Sequence, residues 1–212
     1  MSVYNKALNI RYYPVPKVAC TSVKQVLYTL EHGTNHGGGG IHKVYATLVF
    51  DLPQPERQPD ELRIALVRDP IERFVSAYRN RVHGHEEAAH WKLRKQGLPL
   101  TLKPFPTLNE FVHDLADYQA LVPSLEHHTL PMVTFLGANP EAYDHIFHLD
   151  NIGALETLLS ERAGHTVRLP VTQTKGPAIS SEALGTAERE MLRSYYQHDY
   201  AFLARLNAPA LG

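Results

Sequence analysis

The 212-residue chain is 43% hydrophobic and 20% charged, and 21 basic against 22 acidic side chains give a formal net charge of -1. That composition fits one globular domain, residues 1–212, burying roughly 70% of its extended-chain surface. It excludes a global positive field for a nucleic-acid partner, and a single cysteine excludes an internal disulfide framework.

No stretch approaches the roughly 20 apolar residues that span a bilayer, and the first six residues lack a signal peptide's basic and apolar regions. The expectation is a cytoplasmic protein with no membrane span. Neither internal repeats nor coiled-coil heptads are present.

Ile10 to Val15 is predicted as a buried opening strand, broken by Pro14 and Pro16. Thr21 to Leu30 reads as a helix whose apolar face carries Val23, Val26, Leu27 and Leu30, with Thr21 or Ser22 as its cap. Four glycines, Gly37 to Gly40, then make either a surface connection or a lid. Val44 to Phe50 fits strand or helix equally. Leu62 to Val67 is a clear internal strand, and Asp69-Pro70 opens a helix along which Ile71, Phe74, Val75 and Tyr78 share a face. Strand, tight turn and helix thus occur twice, which points to an α/β layer.

Residues 83–106 are polar and histidine-rich and read as a mobile excursion, with a short helix around Glu86 to Lys95. Leu108 to Leu115 resumes helical spacing. Met132 to Leu136 and His145 to Leu149 are short strand candidates, and a helix follows over Ile152 to Leu159. Val167 to Val171 is strand-like. Thr186 to Leu206 is the longest predicted helix, its Met191, Leu192, Tyr195, Tyr196, Phe202 and Leu203 forming a packing surface.

Two segments carry chemistry. Lys17 lies just beyond the first strand, with Thr21 and Ser22 at the start of the next helix. Exposed helix amides, a lysine and hydroxyls form a cradle for phosphate or sulfate. The alternative is a surface lysine with two capping hydroxyls. Arg68 emerges at the end of the second strand, where ligands of open α/β sheets collect, and Ser76 lies on the helix after it. Arginine's planar donors suit a phosphate fork. Arg73, Arg79 and Arg81 occupy different helical faces.

Together the two segments resemble the carbohydrate sulfotransferase family, especially its Golgi members and their bacterial relatives. Pro16-Lys17-Val18-Ala19-Cys20-Thr21-Ser22 is similar to the family's 5'-phosphosulfate motif, and Lys24 matches a lysine common just inside the following helix. The run from Leu66 to Arg79 is similar to its 3'-phosphate motif. Weaker likeness continues through Tyr143 to Phe147, Leu155 to Leu158 and Tyr195 to Phe202.

The resemblance implies 3'-phosphoadenosine 5'-phosphosulfate as donor, 3',5'-bisphosphoadenosine as product, and a hydroxyl-bearing small molecule or carbohydrate as acceptor. It implies a central, mostly parallel sheet flanked by helices, related to nucleotide kinases, with a P-loop-like 5'-phosphosulfate loop. Lys17, Val18, Ala19, Cys20, Thr21 and Ser22 would then hold the 5' end, and Arg68 and Ser76 the 3'-phosphate. No metal is required in that family, and the 13 histidines here form no clear ligand set in sequence. Lys175, in Thr174-Lys175-Gly176, is similar to a lysine-glycine element of soluble sulfotransferases and is a further candidate for adenosine or phosphate, against an ordinary polar turn.

Lys17 is the expected stabiliser of the leaving phosphate oxygen. His42, between the two motifs, is the first candidate for the base that takes the acceptor's proton, ahead of His36, His127 and His128. The competing readings are an ATP-dependent kinase, against which no Gly-x-x-x-x-Gly-Lys-Ser/Thr sequence stands, and a nucleotide-binding module without turnover. Acceptor identity and oligomeric state are not written in the sequence.

Overall fold

The computed structural model describes residues 2–36, 40–50, 54–172 and 176–206. In chain order these form β1 (Val3–Asn5), β2 (Ile10–Tyr13), α1 (Cys20–His32), α2 (Ile41–Val44), β3 (Leu62–Val67), α3 (Pro70–Tyr78), α4 (His90–Lys95) and α5 (Leu108–His113). There follow α6 (Leu115–Leu121), α7 (Pro123–Thr129), α8 (Val133–Leu136), β4 (His145–His148), α9 (Ile152–Ala163), α10 (Thr186–Tyr195) and α11 (Gln197–Leu206). The residues cluster into two compact units, one of 1–68, 132–172 and 201–212, the other of 69–131 and 173–200. No helix among the described residues is long and apolar enough to cross a membrane.

The first unit is an α/β layer around a mixed sheet in the order β1-β2-β3-β4. β1 pairs antiparallel to β2, while β2, β3 and β4 run parallel, with Tyr13 opposite Ala65 and Val67 opposite His148. All of β2 is buried, as are Ile64 to Val67 of β3, which is the pattern of internal parallel strands. Because β2 and β3 are parallel neighbours, the chain leaves both at the same sheet edge. That edge delivers the turn after Tyr13 and the residue after Val67.

Two buried polar contacts fix this arrangement. Asn5 donates from Nδ2 to the Leu27 carbonyl at 2.7 Å and accepts from the Leu8 amide at 2.8 Å, tying β1 to α1. Arg11 meets the Glu61 carboxylate through Nε at 2.7 Å and Nη2 at 2.9 Å. Burial pushes the Glu61 pKa up, but hydrogen bonds from Arg11, the Gln58 amide and Arg63 outweigh it and hold the carboxyl below its ordinary value.

The second unit packs α3, α5, α6, α7 and α10 on an aromatic core. Ile71, Phe74, Val75 and Tyr78 face it as the spacing predicts, and Asp69 caps α3 by accepting from the Glu72 amide at 2.9 Å. A π-helical turn, Arg79–Gly84, continues α3. Of the 83–106 segment, a helix is formed over His90–Lys95. Tyr78 and Tyr118 hold its far end by donating to the carbonyls of Pro106 and Lys103 at 2.7 and 2.6 Å.

Three sequence expectations change. Met132 to Leu136 is not a strand: the Met132 carbonyl accepts from the amides of both Phe135 and Leu136, closing the helical turn of α8. Val167 to Val171 is no strand either, because its amides at Val167 and Leu169 bond to Ser160 and Glu156 side chains of α9. The long terminal helix breaks at Tyr196, whose buried hydroxyl donates to the Thr129 carbonyl at 2.6 Å, and Met191 is exposed rather than packed.

Glu61→Ala is expected to cost about 3 kcal/mol by leaving Arg11 buried without its partner, measured as a lower denaturant midpoint. Since the folded pKa of Glu61 is depressed, its contribution is present above the ordinary carboxylate range and lost as pH falls through the folded value. The variant's stability should therefore fall less steeply with acid than the wild type's.

Candidate active site

The residues after β2 are where the first unit concentrates unusual backbone. Pro14, Val15, Pro16 and Val18 are buried, while Lys17 (φ 65°) and Ala19 (φ 48°) take the left-handed conformation that side chains with a Cβ seldom adopt. Left-handed residues alternating along a turn point successive amides toward one concavity. Ala19 is also the N-cap of α1, and no side chain caps that terminus. Thr21 and Ser22, expected as caps, stand instead inside the first turn. No acidic residue lies in that turn, so nothing opposes an anion at the helix's positive end.

The hydroxyls are buried and engaged sideways. Thr21 Oγ1 lies 2.9 Å from His42 Nε2, and Ser22 Oγ lies 2.9 Å from Thr172 Oγ1. Lys24, one turn into α1 and fully buried, donates to Thr47 Oγ1 at 2.5 Å and stands 3.4 Å from His42 Nδ1. Burial lowers its pKa to about 8. Thus His42, placed by the short helix α2, is brought against Thr21 on one ring edge and Lys24 on the other. The i, i+3 spacing of Thr21 and Lys24, which puts both on one face of α1, carried this information in the sequence. Thr47 and Thr172 had no such signal.

Arg68 follows β3 directly and is half-buried, at the sheet edge that also delivers Lys17. Ser76 lies on α3 in the second unit, and Lys175 falls outside the described residues. Its neighbour Gly176 has φ 106°, and a Cβ there would collide with the Arg79 carbonyl oxygen.

The other candidate cations and bases make contacts of their own. Arg73 is fully buried, donates to the carbonyls of His128 and Leu130 and lies 5.5 Å over the Tyr196 ring. Arg81 donates to His128 Nε2 at 2.5 Å, so His128 donates through Nδ1 to the Ser124 carbonyl at 2.7 Å, and both its ring nitrogens are committed. His127 stacks edge-on against His128, and His36 against Tyr28.

The profile of the Sulfotransferase family matches residues 2–204. The chain belongs to that family. Carbohydrate sulfotransferase 14 of Danio rerio is 27% identical over 191 residues, covering 82% of this chain and 51% of the relative, so the chain spans about half the length of the curated relative it matches. No solved structure gives a significant match. The uncapped α1 terminus, in the first unit, is chemically suited to an anion.

Arg73→Met is expected to destabilise the fold by about 2–4 kcal/mol, because the carbonyls of His128 and Leu130 lose their donor. Denaturant unfolding measures this. A loss of ligand affinity at unchanged stability would refute the packing role.

Proposed function

We propose that the protein transfers the sulfuryl group of 3'-phosphoadenosine 5'-phosphosulfate to an acceptor hydroxyl, and that the turn from Lys17 to Ser22 is a P-loop-like cradle for the donor's 5' end. The observation that carries the reading is the left-handed backbone at Lys17 and Ala19 opening onto an α1 terminus with no side-chain cap. Family membership over residues 2–204 supports it, as does a sheet in which Lys17 and Arg68 leave adjacent parallel strands at one edge. That edge is where nucleotide kinases, to which the proposed fold is related, hold phosphate. A carbohydrate acceptor is the first choice, following the name of the zebrafish relative.

When bound, the donor supplies a sulfuryl group on a phosphate leaving group. Lys17 provides the ammonium that stabilises charge building on the departing oxygen. The amides of the first turn of α1, with the hydroxyls of Thr21 and Ser22, hold the neighbouring oxygens. Arg68 binds the 3'-phosphate. His42 takes the acceptor's proton through Nε2, for which that nitrogen must present its lone pair. No residue in this scheme needs a metal to act.

Calorimetric titration with 3',5'-bisphosphoadenosine and with ATP, each with and without magnesium, tests the donor. Tight, magnesium-independent binding of the bisphosphate is expected; binding of ATP alone, and only with magnesium, would make the protein a kinase. Lys17→Ala should reduce transfer by about 10²–10³-fold with an unchanged thermal midpoint. Arg68→Ala should weaken bisphosphate binding by about 30-fold, roughly 2 kcal/mol. Bisphosphate binding without transfer to any hydroxyl acceptor would reduce the protein to a binding module.

A further inference from the structure

Lys24 plays no part in the scheme above, yet it is the most completely buried cation of the first unit and contacts His42. No carboxylate touches it among the described residues. The titratable groups around it are Cys20, one turn earlier on its own helix, and His42 and the exposed Lys43 from α2. From β1 the one titratable side chain is Tyr4, which is turned to Asn9 and Arg11. The segment after α2 adds Thr47, which accepts from Lys24, and Tyr45, which lies against Tyr28.

An ammonium can only donate. While Lys24 is charged, His42 Nδ1 must accept from it, and Nε2 carries the ring proton and donates to Thr21 Oγ1. Such a ring cannot take a proton through Nε2. A neutral Lys24 reverses the assignment: its nitrogen accepts from Nδ1–H, and the Nε2 lone pair faces Thr21.

We propose that Lys24 is the positioning residue behind His42, setting its tautomer and receiving the proton that His42 collects. The inference rests on the sulfotransferase reading and on His42 as its base. As the acceptor oxygen bonds to sulfur, its proton passes to Nε2, and the proton on Nδ1 passes to Lys24 Nζ, which becomes an ammonium. The electron pair of the broken sulfur–oxygen bond leaves on the phosphate oxygen beside Lys17. A lysine whose burial sets its pKa at about 8 is available in neutral form for this at mildly alkaline pH, and the same 3.4 Å contact serves both directions of donation.

The test is the tautomer of His42 followed by ¹⁵N NMR between about pH 6.5 and 9.5, with His42→Gln identifying its signals among those of the 13 histidines. Wild type should pass from Nε2–H to Nδ1–H with a midpoint of about 8. Lys24→Arg, whose guanidinium stays charged throughout, should remain Nε2–H, and Lys24→Met should show no step near that pH. In parallel, wild-type kcat/KM should rise through the same midpoint, and Lys24→Arg should lose about 10²-fold at the alkaline end while binding bisphosphate within about 3-fold of wild type. A wild-type ring that keeps one tautomer across the window, or a step that survives in Lys24→Met, overturns the proposal. The wild-type titration decides this even if a variant does not fold. Transfer without the step leaves the sulfotransferase reading standing and removes the relay; the step without transfer to any acceptor does the reverse.

Discussion

A lysine held out of water in α1 is the constraint around which the first unit's polar residues are arranged. An isolated buried ammonium is strongly disfavoured, so its protons must find acceptors and its pKa must fall. Thr47 and His42 supply the acceptors, and both come from the segment that links α1 to β3. The path of that segment is therefore dictated by a charge rather than by apolar contact alone. Ile41 is its one buried hydrophobic residue among the described residues, while Val44, Leu48 and Val49 remain exposed. The same requirement carries His42 to Thr21 and so completes the polar lining of the helix's first turn.

The turn before α1 meets a second cost. Two residues bearing a Cβ in the left-handed region each lose roughly 1 kcal/mol or more. Burial of Val15, Val18 and Val23 on either side, together with a fully buried β2, holds the chain there. Glycine would relieve that strain and would also let the loop relax in the unfolded chain. Lysine and alanine instead keep the conformational range of the unfolded chain narrower. Strain of this kind persists where the surroundings over-determine it, and here those surroundings are hydrophobic packing on one side and the Lys24 contacts on the other.

How much of this the sequence revealed depended on whether the signal was local. β2, β3, α1 and the entrance of α3 were legible because apolar runs, prolines and Asp69 act within a few residues. The two segments proposed to bind anions stood out as motifs, and His42 as a histidine between them. The strand expected at Met132 to Leu136 failed because a five-residue run with four apolar side chains does not distinguish a strand from a helical turn, and the backbone carbonyl of Met132 chose the turn. The break at Tyr196 was hidden for a different reason: it depends on a hydroxyl reaching Thr129, 67 residues away in sequence. Neither Thr47 nor Thr172 could be singled out, since their partners are set by the fold.

Basic residues inside the second motif-like run differ in burial and partners although they carry the same charge. Arg73 sits five residues after Arg68 in the same motif-like run, yet its guanidinium is consumed by backbone carbonyls and an aromatic face inside a packed core. Its fork cannot turn to a phosphate without abandoning those carbonyls. Arg68 instead follows the last buried residue of β3 and is only half-buried. Lys24 falls between these cases. It is as buried as Arg73, but its acceptors are a hydroxyl and an imidazole, groups that can exchange protons. A buried cation among carbonyls can only hold a structure together, whereas one beside a histidine can change the state of a site.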